Sequence, residues 1–204
     1  MSVDDVRDAY TRRVEDYVDL AFSPEGLHEL DQRLVSRWAG GLSGRVVDAG
    51  CGPGRWTGFL RDLGCDVEGV DLVPRFVEIA RSRFPGIPFR VGDLADLGVP
   101  DGSLGGILSW YSIIHTAPAD VPRVLEEFAR CLRDGGGLLL GLFEGTRVEP
   151  FPHAVTTAYF WSVEEMSRCL ADAGFRVEAT EGRVDPGRRP YVAIVARKVR
   201  DDQW

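Results

Sequence analysis

From residue 45 onward, short apolar runs alternate with stretches of helical period. The runs at 45–49, 66–72, 87–93, 103–110 and 137–143 read as strands. Between them, 54–63, 74–84 and 118–132 carry apolar positions at helical spacing. A further helix is predicted over 162–174, opened by a capping box in which Ser162 reaches toward Glu165 and ended by Gly174. Two last strands, 175–184 and 191–199, are joined by Asp185-Pro186-Gly187-Arg188-Arg189-Pro190. Apolar strands alternating with helices predict an α/β fold, a mostly parallel sheet covered on both faces. The final link is too short for a parallel crossover, so the last two strands must be antiparallel.

Two regions depart from this alternation. Residues 4–22 place Val6, Tyr10, Val14, Tyr17 and Val18 at helical spacing, which predicts one helix with Tyr10 and Tyr17 on a single face. Ser23 then reads as a cap and Pro24 as the first-turn residue of a second helix near 25–39, ended by Gly40-Gly41. Residues 144–161 read as one long irregular stretch, the form a substrate lid takes. The expected organisation is a helical cap over 1–41, a ligand-binding domain over 42–198 with its acceptor loop at 144–161, and a tail at 199–204.

Composition narrows the partners. The 204 residues suit one domain. A net charge of −8, without a basic cluster, disfavours nucleic acid. The opening Met1-Ser2-Val3-Asp4-Asp5 lacks a basic n-region and an apolar h-region, and no apolar run is long enough for a bilayer. A cytoplasmic protein with no membrane partner is expected, as a monomer or homodimer. Cys51, Cys65, Cys131 and Cys169 form no CxxC pair, and His28, His115 and His153 have no ligand spacing, so no metal site is expected.

The chemistry concentrates in "VVDAGCGPGRW", residues 46–56, where Asp48 precedes glycines at 50, 52 and 54. A strand, a glycine loop and a helix bring backbone N–H groups close to a ligand. The dinucleotide fingerprint needs a third glycine or alanine at Arg55 or Thr57, and neither register completes it. Asp48 argues the same way. A like-charge pair with a pyrophosphate, at about 5 Å and a dielectric near 20, costs about 3 kcal/mol. S-adenosylmethionine (SAM) carries an ammonium and a sulfonium, so the same acid becomes favourable. Asp71 closes the next strand, where it can accept the hydroxyls of an adenosine ribose. Asp93 ends the third strand in "VGDLADL", where it can accept from an adenine amino group.

These stretches, with "SWYSIIHTAP" and "VLEEFARCLRDGGGLLLGLF", resemble the class I SAM-dependent methyltransferases in their small-molecule, UbiE-like branch. The resemblance covers residues 44–143 most strongly. It implies a doubly wound, seven-stranded Rossmann-like methyltransferase fold with strand order 3-2-1-4-5-7-6. It also implies SAM as cofactor, with S-adenosylhomocysteine as product. Asp48, Ala49, Gly50, Cys51, Gly52 and Gly54 would surround the methionine part, and Asp71 with Leu72 the ribose. Gly92, Asp93 and Leu94 would take the adenine, and the carbonyl near Ser109 the ammonium. Arg55 could pair with the SAM carboxylate, and Trp56 could line the cofactor.

On the acceptor side, Trp110 and Tyr111 are candidates for an apolar wall near the sulfonium. His115 is the candidate base, with Tyr111 beside it. Tyr10, Tyr17, Phe143, His153, Tyr159 and Trp161 are candidate acceptor contacts, and Phe160 lies among them in sequence. The expected activity is methyl transfer to oxygen, nitrogen or carbon of a small molecule. Two alternatives stand: an NAD(P)-dependent oxidoreductase, and a SAM-binding module without catalysis.

Overall fold

The computed structural model describes residues 2–23 and 27–199. Its sheet contains β1 (Val46–Ala49), β2 (Val67–Asp71), β3 (Phe89–Val91), β4 (Leu104–Trp110), β5 (Leu132–Phe143), β8 (Phe175–Arg183) and β9 (Tyr191–Lys198), in the order β3-β2-β1-β4-β5-β9-β8. The first five strands are parallel, and β9 runs antiparallel to both β5 and β8. Counting only these seven strands, this is the expected 3-2-1-4-5-7-6 order. Strand order reverses between β1 and β4, which places the ligand crevice outside their carboxyl ends.

Alternate strand residues serve opposite faces, as the period of two requires. Val47, Ile107, Leu138 and Leu140 join the core under α6 (Val121–Cys131) and α7 (Val163–Asp172), which contribute Leu125, Phe128, Met166 and Leu170. Val46, Leu108 and Leu139 face the other way, toward Leu34, Val35 and Trp38 of α3 (Glu29–Gly40) and Leu60 of α4 (Arg55–Asp62). A smaller cluster seats α5 (Pro74–Arg83) on β3 through Val77, Ala80 and Phe89. Ser162 caps α7 by accepting from the Glu165 N–H at 3.1 Å.

Three expectations are corrected. The first helix is two, α1 (Val3–Thr11) and α2 (Val14–Phe22), broken at Arg12–Arg13. The Thr11 hydroxyl bonds back to the Arg7 carbonyl at 2.8 Å, a contact that bends helices, and Arg13 supplies no side-chain cap. Tyr10 and Tyr17 therefore lie on different helices. Second, Ser23 ends α2, donating to the Leu20 carbonyl, while His28 caps α3 by accepting from the Leu30 N–H at 3.2 Å. Pro24 and the expected helix start at 25–26 lie outside the described residues, as do 200–204.

Third, 144–161 is not irregular. β6 (Glu149–Pro152) and β7 (Thr157–Phe160) form an antiparallel hairpin with Phe151 opposite Ala158. Pro150 and Pro152 hide this strand from periodicity, since proline is confined to strands whose N–H groups are not all needed. The hairpin is tied to the end of β5 by the Trp161 N–H, which donates to the Phe143 carbonyl at 3.0 Å. Among the described residues, no helix is long and apolar enough to cross a membrane.

Candidate active site

The chain leaves β1 through left-handed turns at Gly50 (φ +82°), Gly52 (φ +53°) and Gly54 (φ +88°), and α4 begins one residue later. Side chains are excluded as well as strained here. A Cβ on Gly50 would lie 2.2 Å from the Ser112 Cβ, and one on Gly52 3.3 Å from the Tyr17 ring. The Gly50 and Cys51 N–H groups both donate to the Val70 carbonyl, at 2.7 and 3.0 Å, which locks the loop to β2. Ala49 and Cys51 are buried, and burial pushes the Cys51 thiol well up, so it stays protonated.

Two buried carboxyls frame this loop. Asp48 is 1% exposed and accepts a 2.6 Å hydrogen bond from the Thr57 hydroxyl. Burial raises its pKa to about 7, with Asp71 adding to the rise and Thr57 opposing it. Asp71 accepts from the Gly52 N–H at 2.7 Å and the Val73 N–H at 2.8 Å. Burial lifts it to about 6 against those two bonds. Among the described residues, neither carboxyl has an ion pair. Each Asp71 oxygen retains a lone pair for a further donor.

The other cofactor candidates spread around the strand tips. Leu72 is half-buried beside Asp71. The Gly92 N–H donates to the Asp71 carbonyl at 3.0 Å, bringing the end of β3 to the same place. Asp93 is half-buried, and its side chain accepts from the Ala95 N–H at 2.9 Å. Leu94 packs on the main core. Ser109 is buried, with its hydroxyl 2.5 Å from that of Ser112. Arg55 opens α4 with its guanidinium 5.4 Å from the Phe22 ring centroid, and its buried Nε has no partner. Trp56 and Trp110 meet at 5.4 Å within the aromatic packing on the α3–α4 side.

Of the acceptor-side candidates, Tyr10 and His153 meet His115, which lies in a 3-10 turn (Ile113–His115) just past β4. His115 Nδ1 lies 2.8 Å from the Thr157 carbonyl, which can only accept, so Nδ1 carries the proton. Nε2 therefore holds the lone pair, and the Tyr10 hydroxyl donates to it at 3.0 Å. Burial lowers the His115 pKa, keeping the ring neutral. His153 lies 5.2 Å from it ring to ring, and burial, then the neighbouring His115, brings its pKa down to about 4. Phe143 packs against Tyr111 at 5.0 Å and against His153 at 5.7 Å. Tyr111 has φ +55°, the one non-glycine residue in the left-handed region among those described. Such strain is found where surrounding packing over-determines the backbone, commonly at functional sites.

Tyr10 and Tyr17 meet at 5.5 Å over Phe76, and Tyr17 also faces Gly52. The break in the first helix is what lets both reach the strand tips. Tyr159 is half-buried against the main core, and Trp161, 2% exposed, belongs to it. Neither has a ring contact with His115 or His153. Sequence reasoning missed Thr57, Ser112, Phe76 and Thr157. A lone hydroxyl in the first turn of α4 was the available signal for Thr57. Nothing local marks the other three.

These features define a doubly wound domain with a glycine turn and two buried acids at the tips of its first two strands. Residues 46–136 match the methyltransferase domain family. A magnesium-protoporphyrin O-methyltransferase of Rhodobacter capsulatus is 36% identical over 112 residues, covering 52% of this chain and 49% of the relative. A probable S-adenosylmethionine-dependent methyltransferase of Mycolicibacterium smegmatis is 33% identical over 156 residues, covering 74% and 58%. The chain spans about half the length of the curated relatives it matches. Among solved structures, the Burkholderia thailandensis 1,6-didemethyltoxoflavin-N1-methyltransferase, with bound 1,6-didemethyltoxoflavin and S-adenosylhomocysteine, shares the fold. Its TM-score is 0.79 at 22% identity, over 96% of this chain and 88% of that one. Residues 46–136 thus carry a methyltransferase domain of the SAM-dependent type.

Proposed function

We propose that this chain transfers the methyl group of SAM to an oxygen, nitrogen or carbon nucleophile of a small molecule. The observation that carries the reading is the pair of buried carboxyls, Asp48 and Asp71, neither with an ion-pair partner among the described residues. A buried acid without a charged partner is costly unless it is protonated or a ligand supplies the charge. An ammonium and ribose hydroxyls meet that need, whereas a diphosphate deepens the cost. The unpartnered Nε of Arg55 fits the ligand's carboxylate.

Asp48 and the Gly50–Gly54 backbone would hold the methionine part, Asp71 the ribose, and Asp93 with the Leu94 N–H the adenine. SAM supplies a methyl carbon already activated by its sulfonium. The remaining work for the protein is alignment and exclusion of water. His115 Nε2 stands ready to take a proton where the nucleophile must lose one. His115 is buried, with the rings of Tyr10 and His153 packed against its own.

Thermal melts with SAM, S-adenosylhomocysteine and NAD(H) test this reading. A ligand at 100 times its Kd adds about 2.7 kcal/mol of stability. Stabilisation by the two sulfur nucleosides, with methyl transfer from labelled SAM in a metabolite screen, is expected. Stabilisation by NAD(H) alone overturns the proposal in favour of an oxidoreductase, and nucleoside binding without transfer to any acceptor favours a binding module.

A further inference from the structure

We infer that the Tyr10 phenol occupies the acceptor's position, and that the acceptor is an aromatic hydroxyl compound whose O–H replaces that of Tyr10 on His115 Nε2. The inference rests on the methyltransferase reading and names its substrate class. His115 is oriented independently of Tyr10, because Thr157 on β7 fixes the Nδ1 proton. Its base atom is thus aimed at one place, and a phenol stands there at 3.0 Å.

The surroundings suit an aryl ring. Tyr10 is held edge-on by Tyr17 at 5.5 Å, Phe76 at 5.9 Å and His115 itself at 5.5 Å, all favourable geometries for a flat ring. Burial, then Tyr17 and Asp71, raise the Tyr10 pKa well above its ordinary value.

The tether is light. Of α1, only Ala9 is buried, with Val6, Arg7 and Tyr10 half-buried, so the helix is held down largely by the ring that the acceptor would replace. A neutral imidazole can take a proton from a phenol with a pKa near 10 far more readily than from an aliphatic alcohol. In the step itself, the acceptor oxygen forms a bond to the methyl carbon, the S–C bonding pair returns to sulfur, and the phenolic proton passes to Nε2.

The test uses 4-nitrophenol as probe and 4-nitroanisole, which lacks the O–H, as control. Both are titrated into the full chain saturated with S-adenosylhomocysteine. Tyr10→Ala should bind 4-nitrophenol at least about tenfold more tightly than the unaltered protein, with no such gain for 4-nitroanisole. Equal affinities in the two proteins, or equal gains for the two probes, overturn the inference. A second variant guards against loss of folding. Tyr10→Phe keeps the ring and removes the donor, so the His115 pKa, read by imidazole NMR, should rise. An unchanged pKa removes Tyr10 from the base. Failure of every protein to bind S-adenosylhomocysteine sinks the parent reading instead, and this inference with it.

Discussion

The Thr57 hydroxyl donates to Asp48 at 2.6 Å, so the acid at the tip of the first strand is held by a neutral partner rather than a cation. That bond favours the ionised carboxylate, opposing burial. Thr57→Val removes the donor at nearly constant volume. The Asp48 pKa should rise above about 7, and the pH midpoint of SAM affinity should move up with it. Calorimetric titration of SAM across the neutral range checks this. An unmoved midpoint shows that Asp48 does not govern cofactor charge recognition.

The ligand-free protein should lose stability as pH rises from the ordinary carboxyl value of 3.8 to about 7. Asp48 and Asp71 have folded pKa values of about 7 and about 6, above the ordinary 3.8. The folded state therefore binds these protons more tightly than the unfolded chain. Their contribution is complete below the unfolded pKa and disappears as pH passes the folded values, at up to about 1.4 kcal/mol per pH unit for each carboxyl. His115, with its lowered pKa, acts oppositely and costs stability as pH falls through its unfolded value. Melts of the unaltered protein and Asp48→Asn at acid and mildly alkaline pH should show a smaller pH dependence in the variant.

Asp71→Ala should cost about 3 kcal/mol in chemical denaturation, because the buried N–H groups of Gly52 and Val73 lose their acceptor. It should also abolish the stabilisation by SAM. Asp71→Asn, which keeps one acceptor oxygen, should recover part of the stability. A SAM-induced shift that survives in Asp71→Ala shows that the ribose is held elsewhere.

Gly50→Ala should destabilise the fold through two separable causes. Its φ of +82° strains any Cβ residue by about 1–2 kcal/mol, and the new methyl collides with Ser112 at 2.2 Å. Pairing it with Ser112→Gly should restore the part due to collision and leave the strain. Equal melting temperatures for the single and double variants refute this division.

His115→Ala should slow methyl transfer about a hundredfold, the usual scale for losing a general base. SAM affinity should hold, because His115 bonds Tyr10 and Thr157 rather than either carboxyl. Single-turnover rates beside equilibrium binding separate the two effects. Full activity in the variant ends the assignment of His115 as base.

Much of the fold was legible because its signals are short in range. Strand runs, the capping serine of α7 and the turn-rich link before β9 all act within a few residues. The hairpin at 149–160 was not legible, since its prolines erase the alternation that marks a strand. The break at Arg12–Arg13 was missed for a related reason. Helical spacing continues across it, while the back-bond from Thr11 carries no periodic signature.

By itself, the sequence determined the parallel sheet, the glycine turn and the acids at the strand tips, because backbone sterics and strand parity are local properties. The tertiary structure alone decided that Tyr10 would meet His115, 105 residues away, and that Tyr17 would face Gly52. Those contacts depend on how a broken helix packs over the crevice, and packing between distant segments leaves no period in the chain to read.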